Sequence, residues 1–196
     1  MKNKEKIGLY FGSFNPIHYG HLIIANHIVQ NTDIDKVWFV VSPQSPFKKT
    51  ENLADNNLRY KLVQLAIEDN ENFSVSDIEF SLPQPSYTVN TLKELSKLQS
   101  DKQFVLLMGE DNIVGFHKWK DYEYILENYN IYVYPRNDVK EKNTLTHKNI
   151  HFVSAPLIDI SATYIRKMLS EGKDIRYFLP DKVLEEIKKI DFYKKK

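Results

Sequence analysis

The sequence predicts an α/β protein with a doubly wound, mostly parallel sheet and helices on both faces. Two observations lead to that class. Short apolar runs alternate along the chain with longer stretches of helical periodicity, the order that builds βαβ units. Most of the short runs are apolar at consecutive positions and rich in β-branched or aromatic residues. That suits strands covered on both faces rather than strands with one wet side.

The first strand is "KIGLYF" (6–11), and "HLIIANHIVQN" follows it with Leu22, Ala25, Val29 and Ile24, Ile28 on one broad helical face. "KVWFVV" (36–41) is the second strand. "DNNLRYKLVQLAIED" then carries Leu58, Leu62, Leu65 and Ala66 at helical spacing, with Asp55 or Asn56 as N-cap. "NFSVS" (72–76) is the third strand, and "TVNTLKELSKL" the next helix, with Leu92, Leu95 and Leu98 on its apolar side. "QFVLLM" (103–108), "NIYVYP" (130–135) and "NIHFVS" (149–154) complete the strands. "SATYIRKMLSEG" is a helix with Ile165, Met168 and Leu169 inward and Gly172 as its stop. "PDKVLEEIKKI" closes the chain with Val183, Leu184 and Ile187 on one side. No repeat or linker interrupts the order, and residues 1–196 are expected to form one domain. The polar stretch 136–149 reads as a surface loop.

Composition narrows the function classes. The 196 residues are 42% hydrophobic, which is enough for a substantial core. Net charge is +1, from 27 basic and 26 acidic residues, so no global field draws the chain to nucleic acid or a membrane. An anionic ligand must be held by a local site. There is no cysteine, which removes disulfides and thiolate chemistry and agrees with a cytoplasmic location. No apolar run approaches the roughly 20 residues of a membrane span, and the N-terminal run is broken as a signal peptide would not be. The sequence is compatible with a homo-oligomer.

The unusual segments all follow strands. "GSFNPIHYGH" (12–21) follows the first, "SPQSPFKK" (42–49) the second and "SLPQPSYT" (81–88) the third. "GEDN" (109–112), "PR" (135–136) and "ISATYIR" (160–166) follow the others. In a parallel sheet they converge on the carboxyl edge, where open α/β sheets bind ligands. His18 and His21 are three apart at a helix start, where free N–H groups and the helix dipole attract phosphate. The plainer alternative is a capped helix with two surface histidines. Ser161 or Thr163 is positioned to cap a helix, and Arg166 one turn on can offer a forked donor. Asp111 fits either a ribose contact or a helix cap. Tyr87 and Trp119 fit either core packing or stacking on a flat ring. Neither usual phosphate loop, G-x-G-x-x-G or G-x-x-x-x-G-K-[ST], is present.

With these residues in place, "GSFNPIHYGH" and "ISATYIR" resemble the two signatures of the H-x-G-H nucleotidyltransferase superfamily. "SPFKK" (45–49), "PSYTVNTL" (85–92), "GEDN" with "KW" (109–119), "YPR" (134–136) and "RYFLP" (176–180) are similar to the nicotinate-nucleotide adenylyltransferase family within it. Ala162 stands where that family often has a second serine. The resemblance covers nearly the whole chain and implies a Rossmann-like fold and AMP transfer from ATP to nicotinate mononucleotide. It implies catalytic roles for His18, His21, Lys48 and Arg166, with Lys49 the neighbouring alternative to Lys48. It implies that Gly12, Ser13, Phe14, Gly109, Asp111, Ile160, Ser161 and Thr163 join the histidines and Arg166 around ATP. It implies that Asn15, Lys48, Tyr87, Thr88, Trp119, Lys120 and Arg136 receive nicotinate mononucleotide, the ring on Trp119 and its carboxylate on backbone N–H groups near Thr88 and Lys120. Magnesium is expected to arrive with ATP, and no protein-held metal is expected. The competing expectations are a phosphopantetheine or glycerol-phosphate member of the superfamily, a nucleotide-binding regulator without turnover, and an RNA-associated protein. Charge and size argue against the last.

Overall fold

The computed structural model describes residues 4–43, 53–137 and 145–190. Six strands form one parallel sheet in the order β3-β2-β1-β4-β5-β6: β1 Glu5–Gly12, β2 Lys36–Val41, β3 Phe73–Ser76, β4 Lys102–Gly109, β5 Asn130–Tyr134 and β6 Ile150–Phe152. All five pairings are parallel, with Leu9 opposite Trp38 on one side and opposite Leu106 on the other. Each expected strand is present, β2 with the same ends and the others with ends shifted by at most two residues.

The helices fall on two faces because the winding reverses between β1 and β4. Right-handed crossovers running one way along a sheet cover one face, and those running back cover the other. One face holds α1 (Tyr19–Asn31), α2 (Asn56–Ile67), α6 (Ala162–Ser170) and α7 (Asp181–Lys188), whose Ile24, Leu62, Ile165 and Val183 share a core with Val37, Phe39 and Val105. The other holds α3 (Thr88–Leu98), α4 (Glu110–Val114) and α5 (Tyr122–Asn128), whose Leu92, Ile113 and Ile125 pack on Leu9, Leu106 and Ile131. Successive strand residues serve opposite cores, which is why the runs had to be apolar throughout.

The caps follow local chemistry. Asp55 accepts from the N–H groups of Asn57 and Leu58 at the start of α2. Gly172, at φ 67°, ends α6: its N–H donates to Leu169 and that of Lys173 to Met168, the paired bonds of a left-handed helix stop.

Three expectations are corrected. Leu98 is 63% exposed: α3 buries Val89, Leu92 and Leu95, and Leu98 is its final residue. β6 covers only Ile150–Phe152 and lies at the edge, with His151 and Phe152 exposed, so it is not covered on both faces. The segment between β4 and β5 holds α4 and α5 and a 3₁₀ turn at Phe116–Lys118, none of which the apolar periodicity marked, because each is too short to show two turns of pattern.

Candidate functional site

The point where strand order reverses lies between the carboxyl ends of β1 and β4. There Gly12 and Gly109 end their strands beside one another's loops. A Cβ on Gly12 would come 2.8 Å from the Phe14 ring, and one on Gly109 would come 3.1 Å from the Arg136 side chain. At Gly12 the buried ring cannot give way and glycine is needed for close approach, whereas at Gly109 the half-exposed Asp111 and Arg136 side chains can shift.

The chain leaves β1 through Ser13, then Phe14 at φ 44°, a left-handed conformation that costs a non-glycine residue energy. The Phe14 ring is buried and meets Tyr10, His21 and Phe39 edge-on, at centroid distances of 5.9, 5.1 and 5.6 Å. Asn15 is buried too. Its side-chain oxygen accepts from the Ala54 N–H at 3.3 Å, so this end of the side chain braces the loop. The peptide between Asn15 and Pro16 is cis.

His18 caps α1 and His21 lies in its first turn. Their rings stack at 3.7 Å. His21 Nδ1 accepts from the His18 N–H at 3.2 Å, so neutral His21 carries its proton on Nε2. His18 is 4% exposed, and its Nδ1 has no hydrogen-bond partner among the described residues. Burial, with a smaller push from Arg136, lowers its pKa to about 4.

This depression gives a pH prediction. Between pH 6.5 and 4 the unfolded chain binds a proton at His18 that the folded chain refuses. Stability is therefore fully present above pH 6.5 and falls as pH drops toward 4, by about 3 kcal/mol for this group. Urea unfolding of the parent and His18→Asn at pH 7 and pH 4 checks it: the stability difference is expected to move by about that amount in favour of the variant. A difference independent of pH would rule out a buried neutral imidazole.

The second signature meets the first. Ser161 caps α6 by accepting from Tyr164 N–H at 3.2 Å. Arg166 reaches back, donating from Nη1 to the Asn15 carbonyl at 2.7 Å and from Nη2 to Thr163 Oγ1 at 3.2 Å. His18, His21, Tyr134, Arg136 and Ile160 line one cleft, floored by Tyr10. The Tyr134 hydroxyl donates to that of Tyr10 at 3.2 Å, and burial raises the pKa of both. Arg136 Nε lies 3.5 Å from Asp111 Oδ1, closing the β4 side.

Tyr87, Trp119 and Lys120 form a second group on the other face. Trp119 is half-buried against Phe116, at 5.3 Å between centroids, and Lys120 Nζ sits 4.8 Å above the Tyr87 ring. Thr88 is the first residue of α3. These residues share the carboxyl edge of the sheet with the histidines but do not line the histidine cleft. Lys48 and Lys49 lie outside the described residues. Among the described residues no group of three histidine, aspartate or glutamate side chains could hold a metal ion, and no helix is long and apolar enough to cross a membrane.

One residue at this edge has no counterpart among the sequence candidates. Arg59, on α2, is wholly buried beneath the loops after β1 and β2. A signal for it was present: Arg59, Leu62, Val63 and Ala66 form one stripe at 3–4 spacing, so a cation sits in the apolar face.

The cytidylyltransferase-like family model matches residues 9–168. Proteins named probable nicotinate-nucleotide adenylyltransferase from Flavobacterium psychrophilum and Flavobacterium johnsoniae are each 52% identical to the chain over 192 residues, 97% of it and 100% of each relative. The protein of that name from Cytophaga hutchinsonii is 52% identical over 188 residues, 96% of the chain and 98% of the relative. Among solved structures, Plasmodium falciparum nicotinic acid mononucleotide adenylyltransferase complexed with NaAD superposes with a TM-score of 0.81 at 21% identity, covering 96% of this chain and 97% of that one. Its complex with APC gives 0.80 at the same identity, with 97% and 98% covered. At that identity the likeness is one of fold, Rossmann-like as the sequence implied. With half of all positions identical across nearly full-length relatives, and both signature segments joined at the switch point, the chain belongs to the cytidylyltransferase-like family, among the nicotinate-nucleotide adenylyltransferases.

Proposed function

We propose that the chain transfers AMP from ATP to nicotinate mononucleotide, giving nicotinate adenine dinucleotide and pyrophosphate, a step of NAD biosynthesis. The observation that carries this reading is the 2.7 Å bond from Arg166 to the Asn15 carbonyl, which joins the two signature segments over the reversal of strand order. A nucleotide crossing that point meets donors from both.

The mononucleotide phosphate attacks the α-phosphorus of ATP. A new P–O bond forms there while the bond to the β-phosphate oxygen breaks, and pyrophosphate leaves with the electron pair. A phosphate dianion is nucleophilic without a base, so the protein's task is alignment and charge stabilisation. Gly12, Ser13 and Phe14 present the loop to the triphosphate. His21 Nε2–H, His18 and Arg166 serve its developing charge, together with Lys48. Gly109, Asp111, Ile160, Ser161 and Thr163 border the nucleotide. Asn15, Tyr87, Thr88, Trp119, Lys120 and Arg136 serve the mononucleotide on the β4 side. Half-burial of Trp119 leaves it able to offer part of its ring to nicotinate.

Magnesium is taken to come with ATP, and no step is assigned to a protein-held metal. Both substrates are small molecules. The chain works as one catalytic unit over residues 1–196, in the cytoplasm, with no nucleic-acid or membrane partner. Pyrophosphate release from ATP tests the reading, with nicotinate mononucleotide, nicotinamide mononucleotide and phosphopantetheine compared side by side. Nicotinate mononucleotide is expected to give the highest kcat/KM, and preference for phosphopantetheine would overturn the assignment.

A further inference from the structure

The loop that presents the triphosphate site is held from beneath by a buried cation. Arg59 is 0% exposed and makes four hydrogen bonds to described residues. Nε donates to the Ala54 carbonyl at 2.9 Å, and Nη2 to Asn56 Oδ1 at 2.6 Å. Nη1 donates to two carbonyls at once, Ser13 at 2.6 Å and Ser42 at 2.9 Å. Ser13 begins the loop after β1, and Ser42 begins the loop after β2. The Ser42 N–H also donates to the Gly12 carbonyl at 2.9 Å, so these two loop origins form one bonded unit around the guanidinium.

The position of Ser13 gives the contact its consequence. Ser13 precedes Phe14, the residue in the left-handed region, and Asn15 follows it. The Ser13 carbonyl is held by Arg59 from beneath, and the Asn15 carbonyl is held by Arg166 from the site. The peptide that enters the strained residue and the Asn15–Pro16 peptide just beyond it are thus each fixed by a guanidinium group. Ala54, whose carbonyl is the third Arg59 acceptor among these, gives its N–H to the Asn15 side chain, so Arg59 touches both walls of the loop. Filling the space under α2 would need only an apolar side chain, and burying a cation costs more than burying a hydrocarbon. What the planar fork adds is direction: several donors in fixed geometry, each aimed at a different segment.

We propose that Arg59 is a positioning residue for the reaction. It makes no contact with substrate, and it fixes the 13–15 loop, and through it the start of the His18–His21 helix, where the triphosphate is received. This rests on the reading of that loop as the ATP-phosphate site.

Arg59→Lys and Arg59→Met test it, each assayed well below its own melting temperature so that the folded fraction is full. The expected result is a fall in kcat of about a hundredfold, the scale of a misplacement of about 1 Å, with KM for the mononucleotide nearly unchanged. A purely structural role would lower the melting temperature and leave kcat of the folded protein at the parental value, and that result would overturn the proposal. Asn56→Ala guards against loss of folding in the first two: it removes one acceptor and leaves the core intact. It is expected to lower kcat by several-fold without a matching loss of melting temperature, and parental kcat here would also count against the proposal. The parent is assayed alongside. If it makes no dinucleotide, the reaction assignment falls by itself, and Arg59 is then judged by calorimetry with a non-hydrolysable ATP analogue. Arg59→Lys is expected to weaken that binding about tenfold, and equal affinity would refute the positioning role.

Discussion

Replacing His21 with alanine is expected to lower kcat by about a hundred- to a thousandfold while the protein stays folded. Removing one preorganised donor to a developing oxyanion typically costs about 2.7–4 kcal/mol of transition-state stabilisation. His21 is such a donor by construction. Its Nδ1 accepts from the His18 N–H, which puts the proton of the neutral ring on Nε2, and the ring is held edge-on by Phe14 at 5.1 Å and Tyr10 at 6.0 Å. The tautomer that donates from Nε2 is thus set by the fold itself. His21→Asn separates donor from charge, because the amide can donate but cannot become cationic; it is expected to recover part of the loss. His18→Ala is expected to lose most activity as well, by a different route. His18 is neutral at pH 7, because burial holds its pKa near 4, so it acts through its hydrogen bonds and through the ring stacked on His21. Steady-state kinetics on the three variants decides this, and near-parental turnover in His21→Ala and His18→Ala together would remove the pair from the reaction.

Phe14→Ala is expected to cost about 3–5 kcal/mol of stability, as truncation of a buried phenylalanine does. The ring is 1% exposed and forms the centre of an aromatic group with Tyr10, Phe39 and His21. Comparison with Phe14→Gly isolates the backbone. At an ordinary position glycine is the less stable replacement, because it loses more freedom on folding. At φ 44° the order should reverse, since alanine retains the Cβ clash of the left-handed region and glycine does not. Urea unfolding is expected to show Phe14→Gly at least as stable as Phe14→Ala. Alanine clearly more stable would mean that the loop is not held in that conformation in solution. Kinetics is expected to follow a separate course: both variants lose kcat, because the ring that orients His21 is gone from both.

The sheet was legible because its physical demand is severe. A strand between two helical layers must be apolar on both sides, and "KVWFVV" and "QFVLLM" satisfy little else. The caps were legible for a similar reason: Asp55 and Gly172 answer needs set within four or five residues of chain. Leu98 misled because three-residue spacing marks a helix face but not how far along the helix burial extends. The short α4 and α5 left no period to read, and packing on Leu106 and Ile131 makes them helical, not their own pattern.

The site divided in the same way. The histidines, Ser161 and Arg166 could be named from spacing and resemblance, since each lies beside a strand end or a helix start. That Arg166 bonds Asn15, 151 residues away in sequence, could not be read from either segment. Nor could the turning of the Asn15 side chain to Ala54, the stacking of His18 on His21, or the three loop carbonyls gathered by Arg59. By itself the sequence determined the order of the strands and of the longer helices, the edge where ligands meet the sheet, and the residue types offered there. Only the tertiary structure decided which of those groups face a ligand and which hold the loop that faces it. Hydropathy and capping act along a few residues of chain, whereas hydrogen bonds between loops depend on strand neighbours that the chain brings together only by folding.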